Sequence, residues 1–280
     1  MAPMKWNILS RPIGLLLILS LPLAVRGAEK EEKVKSEKLP TAQEVLERFS
    51  KEIGGKETFE KHQSQHAKGT VEMQQVKGTM EVFAARPNKL KMVMVMEGVG
   101  EFATGFDGKV GWMNSQLMGP MVLTGKMLEE VQTQADFDHT LHDPEDYKVM
   151  EVLGREEFSG EDCYKLNLVH RTGYKSTEYF STKTGLQKGF IATQESPLGA
   201  VTATTVVNEY KKFGDLTMPS KITQKVSGME TVMTITDMQY DKVDPSVFDV
   251  PAQVKPLLEK PASNLEKNGE SSADKKPETK

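Results

Sequence analysis

Residues 69–112 read GTVEMQQVKGTMEVFAARPNKLKMVMVMEGVGEFATGFDGKVGW. Short runs of alternating residues are broken at regular intervals by turn residues. Val71 and Met73 alternate with Thr70, Glu72 and Gln74, and Met80, Val82 and Ala84 with Thr79, Glu81 and Phe83. Leu90, Met92, Met94 and Met96 then follow at every second position. Val76-Lys77-Gly78, Arg86-Pro87-Asn88, Gly98-Val99-Gly100 and Asp107-Gly108 are the turn signals between the runs. A period of two puts one face of each strand on a buried side of a sheet. The connections are too short for parallel crossovers, so the stretch predicts an antiparallel meander of about five strands. Its apolar face is built largely of methionine, where strands usually use β-branched or aromatic residues. Flexible methionine suits two roles, a loosely specified core or an adaptable lining for a lipophilic ligand.

The same rhythm resumes at Tyr147. Val149–Phe158, Asp162–His170, Tyr174–Ser181, Leu186–Gln194, Ala200–Phe213, Pro219–Ser227 and Glu230–Tyr240 read as strands, separated by Ser159-Gly160, Lys183-Thr184-Gly185, Gly214-Asp215 and Gly228. Between the two groups, Asn114–Gly125 reads as an apolar loop. Thr124–Phe137 has helical spacing through Met127, Leu128, Val131 and Ala135, and Asp138–Asp146 is a polar loop. Ahead of the first strand, Pro40-Thr41 opens a helix with Thr41 as N-cap and Glu44 as its capping-box partner. Val45, Leu46, Phe49 and Ile53 share one face of that helix, which Gly54-Gly55 ends. The sum is a mainly β (α+β) chain of about ten or eleven antiparallel strands with two helical segments.

The ends differ in character. Lys5 and Arg11 precede the apolar run Ile13–Val25, which has the length of a signal-peptide core and is short for a bilayer span. Residues 1–27 are therefore expected to be a cleaved signal peptide, followed by a charged flexible spacer at 28–39. No cysteine stands at the cleavage position to accept a lipid, so the mature chain is expected in the periplasm or secreted, without a transmembrane helix. The folded domain is expected over 40–251. Residues 252–280 are expected to form a disordered tail, because Ala262–Lys280 has no aromatic and almost no aliphatic residues. The 280-residue chain has a formal net charge of −4, and loss of the leader removes three cations and no acids. A basic footprint for nucleic acid is missing.

The sequence presents no recognisable catalytic constellation. The single cysteine, Cys163, alternates with Tyr164 within a strand and reads as a buried structural thiol. His139 and His142 lie among Asp136, Asp138, Asp143 and Asp146, a set that reads as a polar loop rather than a metal site. No cofactor is implied.

Several pieces, taken in order, carry a family likeness. These are Ile53-Gly54-Gly55, Lys68-Gly69-Thr70, Phe106-Asp107-Gly108-Lys109-Val110-Gly111-Trp112, Ala135-Asp136-Phe137 and Asp162-Cys163-Tyr164. They continue with Lys183-Thr184-Gly185-Leu186, Leu216-Thr217-Met218-Pro219-Ser220-Lys221 and Val247-Phe248-Asp249-Val250-Pro251. Over roughly Pro40 to Pro251 the chain resembles a divergent branch of the bacterial outer-membrane lipoprotein-sorting (Lol-type) β half-barrel proteins. The resemblance implies a strongly curved antiparallel half-barrel wrapped over the N-terminal helix and the inserted loop and helix. It also implies an apolar concave face for acyl chains and no catalytic centre. On that expectation Met80, Val82, Leu90, Met92, Met94, Met96 and Phe102 line the ligand site. The partner is then a lipid or a lipoprotein acyl chain. The alternative is a sensor or interaction domain that binds another envelope protein on the same sheet.

Overall fold

The computed structural model describes residues 38–259 apart from 197 and 198. The expected signal peptide, nearly all of the spacer and the tail from residue 260 lie outside the described residues.

Helix α1 (Ala42–Glu52) begins as its sequence requires. The Thr41 hydroxyl accepts from Glu44 N at 3.2 Å, and the Glu44 carboxylate accepts from Thr41 N at 2.7 Å. Its apolar stripe, Val45, Leu46, Phe49 and the following Ile53, is buried. The helix stops at Gly54, where a side chain would meet Leu216 at 2.7 Å and the backbone has φ +129°. A short helix, α2 (Lys56–Phe59), follows.

The sheet comprises β1 (Ser64–Met73), β2 (Val76–Ala85), β3 (Lys89–Met96), β4 (Gly100–Phe106), β5 (Gly111–Ser115) and β6 (Gly119–Val122). After helix α3 (Gly125–Ala135) and two 3-10 turns come β7 (Tyr147–Phe158), β8 (Glu161–His170), β9 (Lys175–Ser181), β10 (Gln187–Ser196), β11 (Gly199–Phe213), β12 (Leu216–Val226) and β13 (Met229–Tyr240). All thirteen form one open antiparallel sheet in the order β6-β5-β4-β3-β2-β1-β13-β12-β11-β10-β9-β8-β7. The architecture is the expected mainly β half-barrel, with thirteen strands among the described residues instead of ten or eleven. Part of the difference is β6, whose four residues, Gly119-Pro120-Met121-Val122, pair with β5 inside the stretch read as a loop. A strand that short, holding Gly and Pro, carries no usable alternation.

Two meanders, β1–β6 and β7–β13, thus meet at one seam, where β1 pairs with β13. Short β6 with its proline and charged β7 (Lys148, Glu151, Arg155, Glu157) form the two outer edges, compositions that discourage pairing with another sheet.

Packing occupies both faces. On the concave face, α1 fills the β7–β13 half, placing Leu46, Phe49 and Ile53 against Leu166, Leu168, Phe180, Phe213 and Leu216. Helix α3 covers the other half, setting Val131 and Ala135 on Leu90, Phe106 and Leu123. The convex face of β3–β6 is covered by the segment after β13, where Val250 and the fully buried Val254 lie against Val93, Ala103, Trp112 and Val122. Packed structure therefore continues past Pro251, through Val254 and the short helix α4 (Lys255–Leu258). Gly105 makes room for the Trp112 ring, since a Cβ there would lie 2.7 Å from it.

Candidate functional site

Directly opposed residues in an antiparallel sheet share a face. Register therefore shows which side chains form the concave surface. One row runs Ser115, Phe102, Met94, Met80, Gly69, Ile235 across β5-β4-β3-β2-β1-β13. Its neighbour runs Gly100, Met96, Gly78, Val71, Met233, Ile222, Val207, reaching β11. A third runs Met121, Met113, Thr104, Met92, Val82, Ala67, Met238. All seven expected lining residues lie on this face, Leu90 in a fourth row between Phe106 and Ala84.

They do not all have the same surroundings. Leu90 is buried under α3, and Val82 packs against the same cluster. Met80, Met92, Met94, Met96 and Phe102 belong to none of the packed clusters of the described residues. Met80 and Met96 are buried, and Met92, Met94 and Phe102 half-buried. The five sit in a band of concave surface that continues across the seam to Val71, Met233, Ile222 and Val207. Those four escaped the sequence reading. Their alternation is visible, but nothing local shows that β1 lies beside β13.

Beyond this band, the wall contributed by β7–β11 carries polar groups. The Thr205 hydroxyl, opposite Phe190 and Gln224, is buried without a hydrogen-bond partner among the described residues. Glu178 is buried on the same face, opposite Leu166 and Phe190. Its carboxylate accepts from Ser176 Oγ at 2.8 Å and from Gln187 Nε2 at 2.6 Å, and lies 3.6 Å from His142 Nε2. The other ring nitrogen of His142 is 2.6 Å from the Tyr147 hydroxyl, and the ring meets Phe49 and Phe180 edge-on. Burial lowers the His142 pKa, which favours the neutral ring. This knot ties the loop after α3 to α1 and to the wall.

Helix α3 is fixed at both walls. Lys126 pairs with Glu195 of β10 at 3.0 Å, and Glu130 accepts from Glu195 N at 2.8 Å. Beyond its C-terminal end, Arg86 donates to both carboxylate oxygens of Asp138 and to the carbonyls of Phe59 (3.1 Å) and His62 (2.8 Å). The chain from 124 to 146 thus bridges the open side of the half-barrel.

The other histidines and the cysteine have plain structural surroundings. His62 bridges Asp215 and Asp241, both at 2.9 Å, and stacks on Tyr240. His139 Nδ1 is 2.8 Å from the Asp136 carbonyl. Cys163 is buried, and burial raises its thiol pKa to about 11. Among the described residues no group of three or more His, Cys, Asp or Glu side chains is placed to hold a metal ion. No helix of the described residues is long and apolar enough to cross a membrane.

The chain is similar to a LolA superfamily protein from Nitrosomonas europaea, with 18% identity, a TM-score of 0.51, and coverage of 76% of this chain and 99% of that one. It is likewise similar to a DUF1329 family protein from Desulfovibrio piger, at 12% identity and a TM-score of 0.52 over 77% and 100% of the two chains. The chain belongs to the family described as a domain of unknown function (DUF4412), whose model matches residues 113–254. No curated protein matches it in sequence.

Proposed function

We propose that this is an exported, non-enzymatic protein of the cell envelope that carries a lipid or a lipoprotein acyl chain on its concave face. The supporting observation is the band of Met80, Met92, Met94, Met96 and Phe102, which stands apart from the clusters under α1 and α3. Apolar burial supplies about 0.8 kcal/mol per methylene, so a chain of around a dozen methylenes gains roughly 10 kcal/mol before the cost of association. No covalent chemistry is needed for that affinity. Methionine side chains accommodate chains of differing length and unsaturation better than a rigid lining would. The fold shared with a LolA superfamily protein supports the reading. Residues 1–27 act in it as the export signal, and the mature chain works in the periplasm or outside the cell.

The test is direct. Protein purified without detergent is extracted with organic solvent, and the extract is examined by mass spectrometry. A long-chain fluorescent fatty acid is then titrated into the emptied protein. The reading expects a stoichiometric lipid in the extract and at least tenfold weaker probe binding by Met94→Gln, about 1.4 kcal/mol. An empty extract together with no probe binding would end it.

A further inference from the structure

The convex side holds a cavity of about 490 Å³, on the face of the sheet opposite the methionine band. It lies where the chain leaves β13 and crosses the sheet. Ser64, Ala85 and Lys89 are directly opposed on β1, β2 and β3, on the face opposite Leu90. Val243, Pro245 and Phe248 form the other wall, with Lys61, Gln63, Arg86 and Asp241 at the margin.

The charges around this cavity are unequally satisfied. The Asp241 carboxylate is taken by His62 (2.9 Å) and by the backbone N–H groups of Gln63 (2.6 Å) and Ser64 (3.3 Å). Arg86 is spent on Asp138 and two carbonyls. That leaves Lys61 and Lys89. Neither has an ion-pair partner within 4 Å among the described residues. Lys89 Nζ stands 5.9 Å from the centre of the Phe248 ring, a contact that leaves its three N–H donors free. Two ammonium groups without a close ion pair, Lys61 within electrostatic reach of Asp215, thus border one cavity with an aliphatic and aromatic wall, in a chain of net negative charge.

We propose that this cavity binds a small amphiphilic anion, a phosphate or carboxylate head on a short apolar body. The head would sit between Lys61 and Lys89, and the body against Val243, Pro245 and Phe248. Phosphate and carboxylate accept several hydrogen bonds from ammonium groups at once, and the apolar wall gains from covering. A cavity of this volume suits a ligand of small-molecule size. The site does not depend on the concave reading, because the two surfaces are on opposite faces of the sheet.

The experiment is calorimetric titration of the purified chain with octyl phosphate and octanoate, each below its micelle concentration, alongside inorganic phosphate and octanol. One-to-one saturation is expected with at least one of the two amphiphiles. Inorganic phosphate and octanol should each bind at least tenfold more weakly, and affinity should fall as salt rises. Which amphiphile binds tighter identifies the head group. Lys61→Gln/Lys89→Gln should weaken binding tenfold or more while leaving the melting temperature within a degree or two. Met94→Gln should leave the lysine-dependent, salt-sensitive binding unchanged. Equal affinity in the double lysine variant, octanol binding as tightly as the anions, or loss of the lysine-dependent binding in Met94→Gln would each overturn the proposal.

Discussion

Truncating Leu90 and Met94 separately distinguishes packed wall from ligand surface. The two residues lie four apart on one strand and point to the same face, so backbone and sheet position are nearly matched. Leu90 is 9% exposed and sits against Phe106, Leu123, Val131 and Ala135. Leu90→Ala removes three buried carbons, roughly 2.4 kcal/mol of transfer free energy at about 0.8 kcal/mol each. The void left under α3 raises the expected loss to about 3 kcal/mol. Met94 is half-buried and outside the α3 cluster. Met94→Ala should cost about 1 kcal/mol, because water reaches the space and no dry void remains. Urea unfolding reads both. With a slope of roughly 2–3 kcal/mol/M, Leu90→Ala should lower the midpoint by about 1–1.5 M and Met94→Ala by about 0.3–0.5 M. Equal losses at the two positions would refute the division of this face and make Met94 core.

Further outcomes concern charge and packing. Burial opposes a charged His62, but hydrogen bonds to Asp241 and Asp215 outweigh it and raise its pKa. Its stabilisation is full below about pH 6.5 and is lost as pH rises through the raised value, and a melting curve of His62→Ala against pH should lack that loss. Burial lowers the His142 pKa, so its sign is opposite. The wild type should lose stability as pH falls below about 6.5, and His142→Gln should flatten that acid limb. Gly105→Ala places a methyl group against Trp112 and should cost about 1–3 kcal/mol by urea titration. A chain ending at Pro251 loses the buried Val254 and should melt measurably lower than one ending at residue 259.

Much of this structure is local and was readable from the sequence. Thr41 and Glu44 predict the start of α1, and the Leu90–Met96 alternation predicts both β3 and its inward face. What could not be read depends on contacts between distant residues. Val71 and Met233 share a row only because β1 pairs with β13, and no local pattern encodes that seam. Glu178 gave no warning either. It occupies an inward position of β9 between Ser176 and Phe180, and only the fold brings Gln187 and His142 to it. Leu90 and Met94 look alike as letters, and the packing of α3 on Leu90 is what distinguishes their surroundings.

The single seam also bears on how the molecule assembles. Every other strand pair is a hairpin neighbour, joined by a turn or by the few residues between adjacent strands. Pairs such as Thr70 with Thr234 instead require the ends of a very long loop to meet. Closing that loop is entropically costly, and contacts of high sequence separation slow folding. The two meanders should therefore acquire hydrogen-exchange protection first, with the β1–β13 amides last. Cutting the chain between β6 and β7 would leave each meander continuous, and two fragments co-expressed this way should reassemble across the seam.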